Sequence, residues 1–134
     1  MVCIFCKIIE GELPCYKVYE DKRLLAFLDI NPVNKGHLLI VPKEHHRNLA
    51  DLPKDLLKDL VSLAQDLAVP VVDGVGAEGF NLTTNNGAVA GQQVEHFHWH
   101  VIPRFANDHL HHWPGKTFSD EEMKRFALSI KKSI

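Results

Sequence analysis

The chain has little of what usually assigns a protein to a class at first sight. Charge of one sign is missing: 15 Lys and Arg stand against 17 Asp and Glu in 134 residues, a formal charge of −2. Without a strong basic field, nucleic acid is not an expected partner. No apolar run approaches the ~18 residues of a membrane span, so no membrane association is expected. Cysteine is scarce, with three residues, and an odd count argues against a disulfide framework. The expected setting is a reducing one, the cytoplasm. Met1 to Glu10 has neither a basic n-region nor a long apolar stretch, so no secretory signal is read there. Repeats, low-complexity tracts and linkers are absent, and the 46% apolar and 24% charged residues are ordinary globular values. The expectation is one domain over 1–134.

What is present reads as an α+β chain. Cys3 to Glu10 predicts one or two helical turns ended by Gly11. Tyr16 to Tyr19 and Leu24 to Leu28 predict two strands of a hairpin turning at Asp21-Lys22. A loop over Asn31-Pro32 to Lys35-Gly36 precedes a third strand, His37 to Val41, stopped by Pro42. Leu56, Leu57, Leu60, Val61, Ala64, Leu67, Ala68, Val71 and Val72 recur at helical spacing, with Pro53 suited to the first turn. Pro70 is expected to kink or end that helix. Phe80 to Thr84 predicts a fourth strand, Asn85 to Gln93 a polar loop, and Val94 to Arg104 a fifth strand. Ser119-Asp120-Glu121-Glu122 is a capping-box signature opening a C-terminal helix from Asp120 to about Lys131. Strands joined by tight turns argue for a five-stranded antiparallel sheet, with one long central helix, a short N-terminal helix and a C-terminal helix.

Histidine is the unusual residue, with nine in the chain. His96-Phe97-His98-Trp99-His100-Val101-Ile102 alternates imidazole with apolar side chains. In a strand, alternate side chains share a face, so three imidazoles point one way and Phe97, Trp99 and Val101 the other. A single buried histidine is more often a hydrogen-bonded core residue; three alternating ones are not explained that way. Neutral imidazole serves as nucleophile, acid or base near its switching pH. His-x-His on a strand is equally a metal chelate, and spacing alone leaves metal and catalysis open. The loop before it, with Asn85-Asn86-Gly87 and Ala90-Gly91-Gln92-Gln93, offers amide donors and open backbone suited to an anion such as phosphate, or is a plain hairpin loop. Cys3-x-x-Cys6 has zinc-ligand spacing, which is weak evidence alone.

The run His96 to Ile102 resembles the signature of the histidine triad (HIT) family. Cys3-Ile4-Phe5-Cys6-Lys7-Ile8, Phe27-Leu28-Asp29-Ile30-Asn31-Pro32, Gly36-His37, Val41-Pro42-Lys43 and Asn85-Asn86-Gly87 also stand where that family has similar residues. The resemblance covers roughly residues 3–104; residues 105–134 correspond to a variable tail.

The resemblance implies hydrolysis or transfer of nucleoside monophosphate groups. The middle histidine, His98, would attack the α-phosphorus to form a nucleotidyl-imidazole that water then cleaves. His100 would contact the phosphate and protonate the leaving group, and His37 would support it. Asn85 and the backbone at Gly91 and Gln92 would hold phosphate oxygens. Gln93 stands where many relatives carry Ser or Thr reaching the phosphate, so that contact does not carry over. Asp29 would grip the ribose hydroxyls, although composition alone reads it as a turn aspartate. Phe5, Ile8, Phe27, Leu28 and Ile30 would line a purine slot, ordinary core packing being the other reading. Cys3, Cys6, His45 and His96 would complete a structural zinc site of the bacterial type, His46 being one residue away from the assigned ligand; two buried reduced thiols are the alternative. Cys15 is expected in the core or at a strand edge. His109, His111 and His112 read as a solvated loop, and Trp113 as a candidate contact across a dimer. The implied substrate is a purine nucleoside 5′-phosphoramidate, an AMP–amine conjugate, as in the Hint-like branch. Two alternatives stay open: a diadenosine polyphosphate hydrolase, and a zinc-stabilised nucleotide-binding or scaffold protein with little turnover. The implied assembly is a homodimer with a continuous ten-stranded sheet, which hides a sheet edge.

Overall fold

The computed structural model describes residues 2–134. A five-stranded antiparallel sheet is built from β1 (Lys17–Glu20), β2 (Leu24–Leu28), β3 (Leu38–Pro42), β4 (Gly79–Thr83) and β5 (Trp99–Arg104), in the order β1-β2-β3-β5-β4. Three helices accompany it: α1 (Ile4–Ile9), α2 (Lys54–Val75) and α3 (Asp120–Ser133). The α+β reading holds, with every strand pair antiparallel.

Strand periodicity divides the core. Leu24, Ala26, Leu38, Ile40 and Val101 face α2, meeting Leu56, Leu60, Leu63 and Ala64. Leu25, Phe27, Leu39 and Val41 face the other way and are covered by Phe5, with Ile8, Ile9, Cys15 and Val94 around them. β2 and β3 are buried on both faces, which is why they read as unbroken apolar runs. The loop into β3 depends on Gly36, at φ +83°, where a Cβ would lie 2.8 Å from Val75 Cγ1.

Three expectations about the elements need correction. Pro70 neither ends nor breaks α2, which continues to Val75 and is closed by Gly76 in the left-handed conformation. Pro70 and Asp66, the residue one turn earlier that loses its helical hydrogen-bond donor, both lie on the exposed face, where water can replace that donor. Val61, expected on the apolar face, is 46% exposed. The fifth strand is half as long as predicted, because the polar groups of 94–98 are taken by other partners. Phe97 N–H donates to His46 O (2.7 Å), while the carbonyls of Val94, His96 and His98 accept from the Gln92 amide, the His98 ring and the Thr84 hydroxyl.

The C-terminal helix begins as expected. Ser119 Oγ accepts from Glu122 N–H and the Glu122 carboxylate accepts from Ser119 N–H. None of its residues is buried, and Met123, Phe126, Leu128 and Ile130 are exposed. Trp113 is exposed as well. No helix among the described residues is long and apolar enough to cross a membrane.

Candidate active site and metal centre

The extended stretch before β5 keeps two faces although only its end is paired. Phe97 and Val101 are in the α2 core, with Trp99 against them. The imidazoles turn to the opposite face, where Phe5 meets His98 edge-on at a ring distance of 5.0 Å and His96 at 5.9 Å. His100 sits opposite Leu39 in the β3–β5 register, with its ring 4.8 Å from that of His98. His37, at the entrance to β3, joins them: its ring lies 5.1 Å from His100. His37, His98 and His100 therefore form one cluster. His96 belongs to a different pocket.

The tautomers follow from partners that can only donate or only accept. His98 Nδ1 lies 2.8 Å from the His96 carbonyl, so it carries the proton and Nε2 keeps its lone pair. Val33 N–H donates to His37 Nδ1 (3.1 Å), so neutral His37 carries its proton on Nε2, which donates to His100 Nδ1 (2.9 Å). His100 then holds its proton on Nε2, a buried atom with no partner among the described residues. A bare nitrogen and a free N–H thus stand on neighbouring rings. Burial lowers the pKa of all three rings; His100, also beside the His98 and His37 rings, falls to about 4. They are neutral at pH 7.

Asp29 has two duties. One oxygen accepts from Asn31 N–H (2.8 Å), the turn role that composition favours; the other lies 3.7 Å from His37 Nε2. Asp29, His37 and His100 offer three ligand-type atoms within 4.8 Å, but the His37 Nε2 proton is donated to His100 Nδ1, and the Asp29 oxygen at 3.7 Å lies beyond hydrogen-bond distance.

The polar loop is braced from within. Gly87 N–H donates to the Gln92 side-chain oxygen (2.9 Å), and the Gln92 amide donates to Arg47 O (2.6 Å) and Val94 O (3.0 Å). The main-chain N–H groups of Gly91 and Gln92 bond to Ala88 O and Gly87 O. In this conformation Gly91 and Gln92 build the loop and have no spare N–H for a phosphate. Asn85 Nδ2 donates to Gly91 O (3.3 Å), and Gln93 is exposed.

Of the residues expected to line a base slot, Phe5, Ile8 and Phe27 come together. Leu28 does not, because the residue after Phe27 on a strand must face the other side, towards α2. Ile30 is 75% exposed beside the Asp29 turn.

Cys3, Cys6, His45 and His96 bring their ligand atoms within 4.8 Å of one another. His96 Nε2 lies 2.7 Å from the Pro42 carbonyl and so carries the proton, leaving Nδ1 bare towards the sulphurs. That Nδ1 is 3.5 Å from Cys3 Sγ and 3.6 Å from Cys6 Sγ; Cys6 Sγ is 3.4 Å from His45 Nδ1. Tetrahedral zinc, with bonds of about 2.3 Å to sulphur and about 2.0 Å to nitrogen, separates those atom types by about 3.5 Å. The donor set therefore fits zinc with no open position. Burial, together with the Cys3 thiol that hydrogen-bonds and repels it, pushes Cys6 up to about 11; a dication between the sulphurs reverses that preference. His46 is not in the group: it bonds Glu44 (2.7 Å).

Three positioning contacts were not anticipated: Thr84 Oγ1 to the His98 carbonyl (2.9 Å), Val33 N–H to His37, and Gln92 to Arg47. Threonine just past the end of β4 carries no distinguishing signal. A main-chain donor such as Val33 carries none at all.

The chain belongs to the HIT domain family, whose model matches residues 10–107. An uncharacterised HIT-like protein of Methanocaldococcus jannaschii is 50% identical over 107 residues, 80% of this chain and 82% of that protein. A protein of Schizosaccharomyces pombe named adenosine 5′-monophosphoramidase is 39% identical over 136 residues, covering 100% of this chain and 99% of its own. Among solved structures, a zinc-bound histidine triad family protein from Mycobacterium smegmatis superposes with a TM-score of 0.78 at 35% identity, over 99% of this chain and 97% of that one.

Proposed function

We propose that this chain is a nucleotide hydrolase that cleaves purine nucleoside 5′-phosphoramidates through a nucleotidyl-His98 intermediate. One observation carries the reading: the His96 carbonyl holds the His98 proton on Nδ1, so the bare Nε2 is available next to the unpartnered N–H of His100. The name of the fission-yeast relative supports the P–N substrate. His98 Nε2 attacks the α-phosphorus, the P–N bond to the amine breaks, and its electron pair leaves with the nitrogen. That nitrogen needs a proton. The His37–His100 pair beside Asp29 holds it once an anionic phosphate arrives, and His100 Nε2 delivers it. Water then attacks phosphorus, returns a proton to His100, and the bond to His98 breaks to release AMP. Asn85 and His100 hold the phosphate oxygens, Asp29 takes the ribose hydroxyls, and Phe5, Ile8 and Phe27 form the wall against the base.

Zinc at Cys3, Cys6, His45 and His96 is part of this proposal, supported by the donor geometry and the zinc-bound relative. It would tie α1 to the segment leading into β5, and its thiolates require a reducing compartment such as the cytoplasm. A homodimer is proposed as well. β4 is a sheet edge that leaves Phe80 44% and Leu82 38% exposed, and pairing two such edges yields the ten-stranded sheet. Sedimentation at micromolar concentration should give twice the chain mass; a single-chain mass refutes it.

The decisive assay is AMP release from adenosine 5′-phosphoramidate. Wild type should turn over, and His98→Ala should lose about 10⁴-fold or more in kcat. Inert wild type that still binds AMP would refute the phosphoramidase reading and turn attention to diadenosine polyphosphates. AMP binding that survives His98→Ala, with no turnover of either substrate, would leave a binding protein.

A further inference from the structure

The segment that carries the proposed base wall is attached to the rest of the molecule in an unusual way. α1 is six residues long, with Cys3 as its N-cap and Cys6 in its first turn. The main-chain hydrogen bonds of Lys7, Glu10, Gly11, Glu12 and Leu13 all stay within residues 3–13. Among the described residues, the polar contacts that leave the segment run only from the Cys3 and Cys6 sulphurs, to His45 and His96. Otherwise it is held by packing of Phe5, Ile8 and Ile9 on the sheet.

Phe5 lies between the two thiol residues. It is the residue of that turn that reaches the catalytic cluster, edge-on to His98 at 5.0 Å and to Phe27 at 5.6 Å. Phe5 is 6% exposed. Whatever fixes both sulphurs therefore fixes Phe5 against the proposed nucleophile. Whatever frees them leaves a two-turn helix with no polar tether, and short isolated helices do not hold themselves.

The sulphurs are also reachable. A groove of about 740 Å³ opens over Cys3, Cys6 and His45, flanked by Lys7, Glu10 and Gln93. His45 is exposed, whereas His96 is fully buried. The ligand set thus has one buried end and one solvent-facing end, so a chelator can approach it from the His45 side.

We propose that metal occupancy at Cys3, Cys6, His45 and His96 sets the affinity of the nucleotide pocket by holding Phe5 in place. The metal governs binding through the α1 turn and takes no part in the reaction at phosphorus. Phe5 is the coupling residue. The inference rests on the nucleotide-pocket reading given above.

The test is AMP titration by calorimetry of the full-length protein, loaded with one equivalent of zinc and after removal of metal with a chelator, with zinc content measured in both. The expected result is AMP binding about tenfold weaker in the metal-free protein, the scale of losing one aromatic edge contact plus reordering the turn. Hydrogen exchange should speed up in residues 3–10 and stay unchanged in β2 and β3. Phe5→Leu, loaded with zinc, should bind AMP weakly and respond less than twofold to chelation. Because chelation acts on wild type, the test survives a variant that fails to fold. If loaded protein binds no AMP, the pocket reading itself fails and this inference with it. If both forms bind AMP with the same affinity while zinc content differs, the pocket stands and the coupling is refuted. Protein that takes up no zinc also overturns it, as does full metal sensitivity in Phe5→Leu.

Discussion

The Gln92 amide donates to the Arg47 carbonyl at 2.6 Å, linking the loop before the histidines to the segment between β3 and α2. The same side chain accepts from Gly87 N–H and donates to Val94 O, and it is 7% exposed. Gln92→Leu strips three partners at once. Unmade buried hydrogen bonds cost about 1–3 kcal/mol each where water cannot reach them. A loss of about 2–4 kcal/mol in urea unfolding is expected, with KM rising more than kcat falls.

In the proposed reaction His37 would act through His100, whose Nδ1 accepts from His37 Nε2. Replacing it by Phe keeps the volume and removes the Nε2–H that fixes the His100 tautomer. A fall in kcat of about 10- to 100-fold is expected, with AMP affinity nearly unchanged. An unaltered kcat would show that His100 finds its tautomer unaided.

Acid should unfold the protein before it would unfold a chain without these rings. Unfolded histidine takes its proton near the ordinary value of about 6.5, whereas folded His100 does so only at about 4 and folded His37 is lowered in the same direction. Between those limits the unfolded chain binds more protons, so each step down in pH favours unfolding; above pH 6.5 these groups add no slope. Melting temperature should be flat from pH 8 to 7 and fall steadily from pH 6.5 towards 4. His100→Asn should flatten part of that fall.

Metal removal should lower thermal stability. A ligand bound only by the folded state stabilises it by mass action, and the four donors come from α1, the segment after β3 and the stretch before β5. Calorimetric scans with zinc and with chelator should differ by several degrees, and Cys6→Ser should melt like the chelated protein in both conditions.

Pro70→Ala should stabilise the protein. The substitution restores an N–H inside α2 on an exposed face, and proline there is about 3 kcal/mol worse than alanine before the stiffer unfolded chain is credited. A gain of about 1–2 kcal/mol is expected, with kcat/KM unchanged.

The parts legible in the sequence were those in which neighbours along the chain decide the outcome. Ser119 and Glu122 close a capping box within four residues, and β2 and β3 announce themselves as apolar runs. Pro70 misleads because its effect depends on which side of α2 meets water. Val94 to His98 misleads because its alternation is real while its hydrogen bonds go to His46, Gln92 and Thr84, all distant or unmarked in sequence. The imidazoles could be assigned to one face from spacing alone. Their protons could not, since the partners are a main-chain N–H at Val33 and carbonyls at Pro42 and His96. Gln92 was legible as a polar loop residue near the site, but only the folded loop reveals that its amide is already committed.

The two-sided run from His96 to Val101 separates what selection can act on. Even-numbered positions face the candidate metal and nucleotide sites, and odd-numbered positions face the hydrophobic interior against α2. Substitution at Phe97 or Val101 should change how much protein a cell keeps, while the activity of each surviving molecule changes little. Substitution at His98 or His100 should do the reverse. Abundance and activity would then vary with opposite parity from Phe97 to Val101, while His96, buried among the candidate zinc ligands, would side with the odd positions.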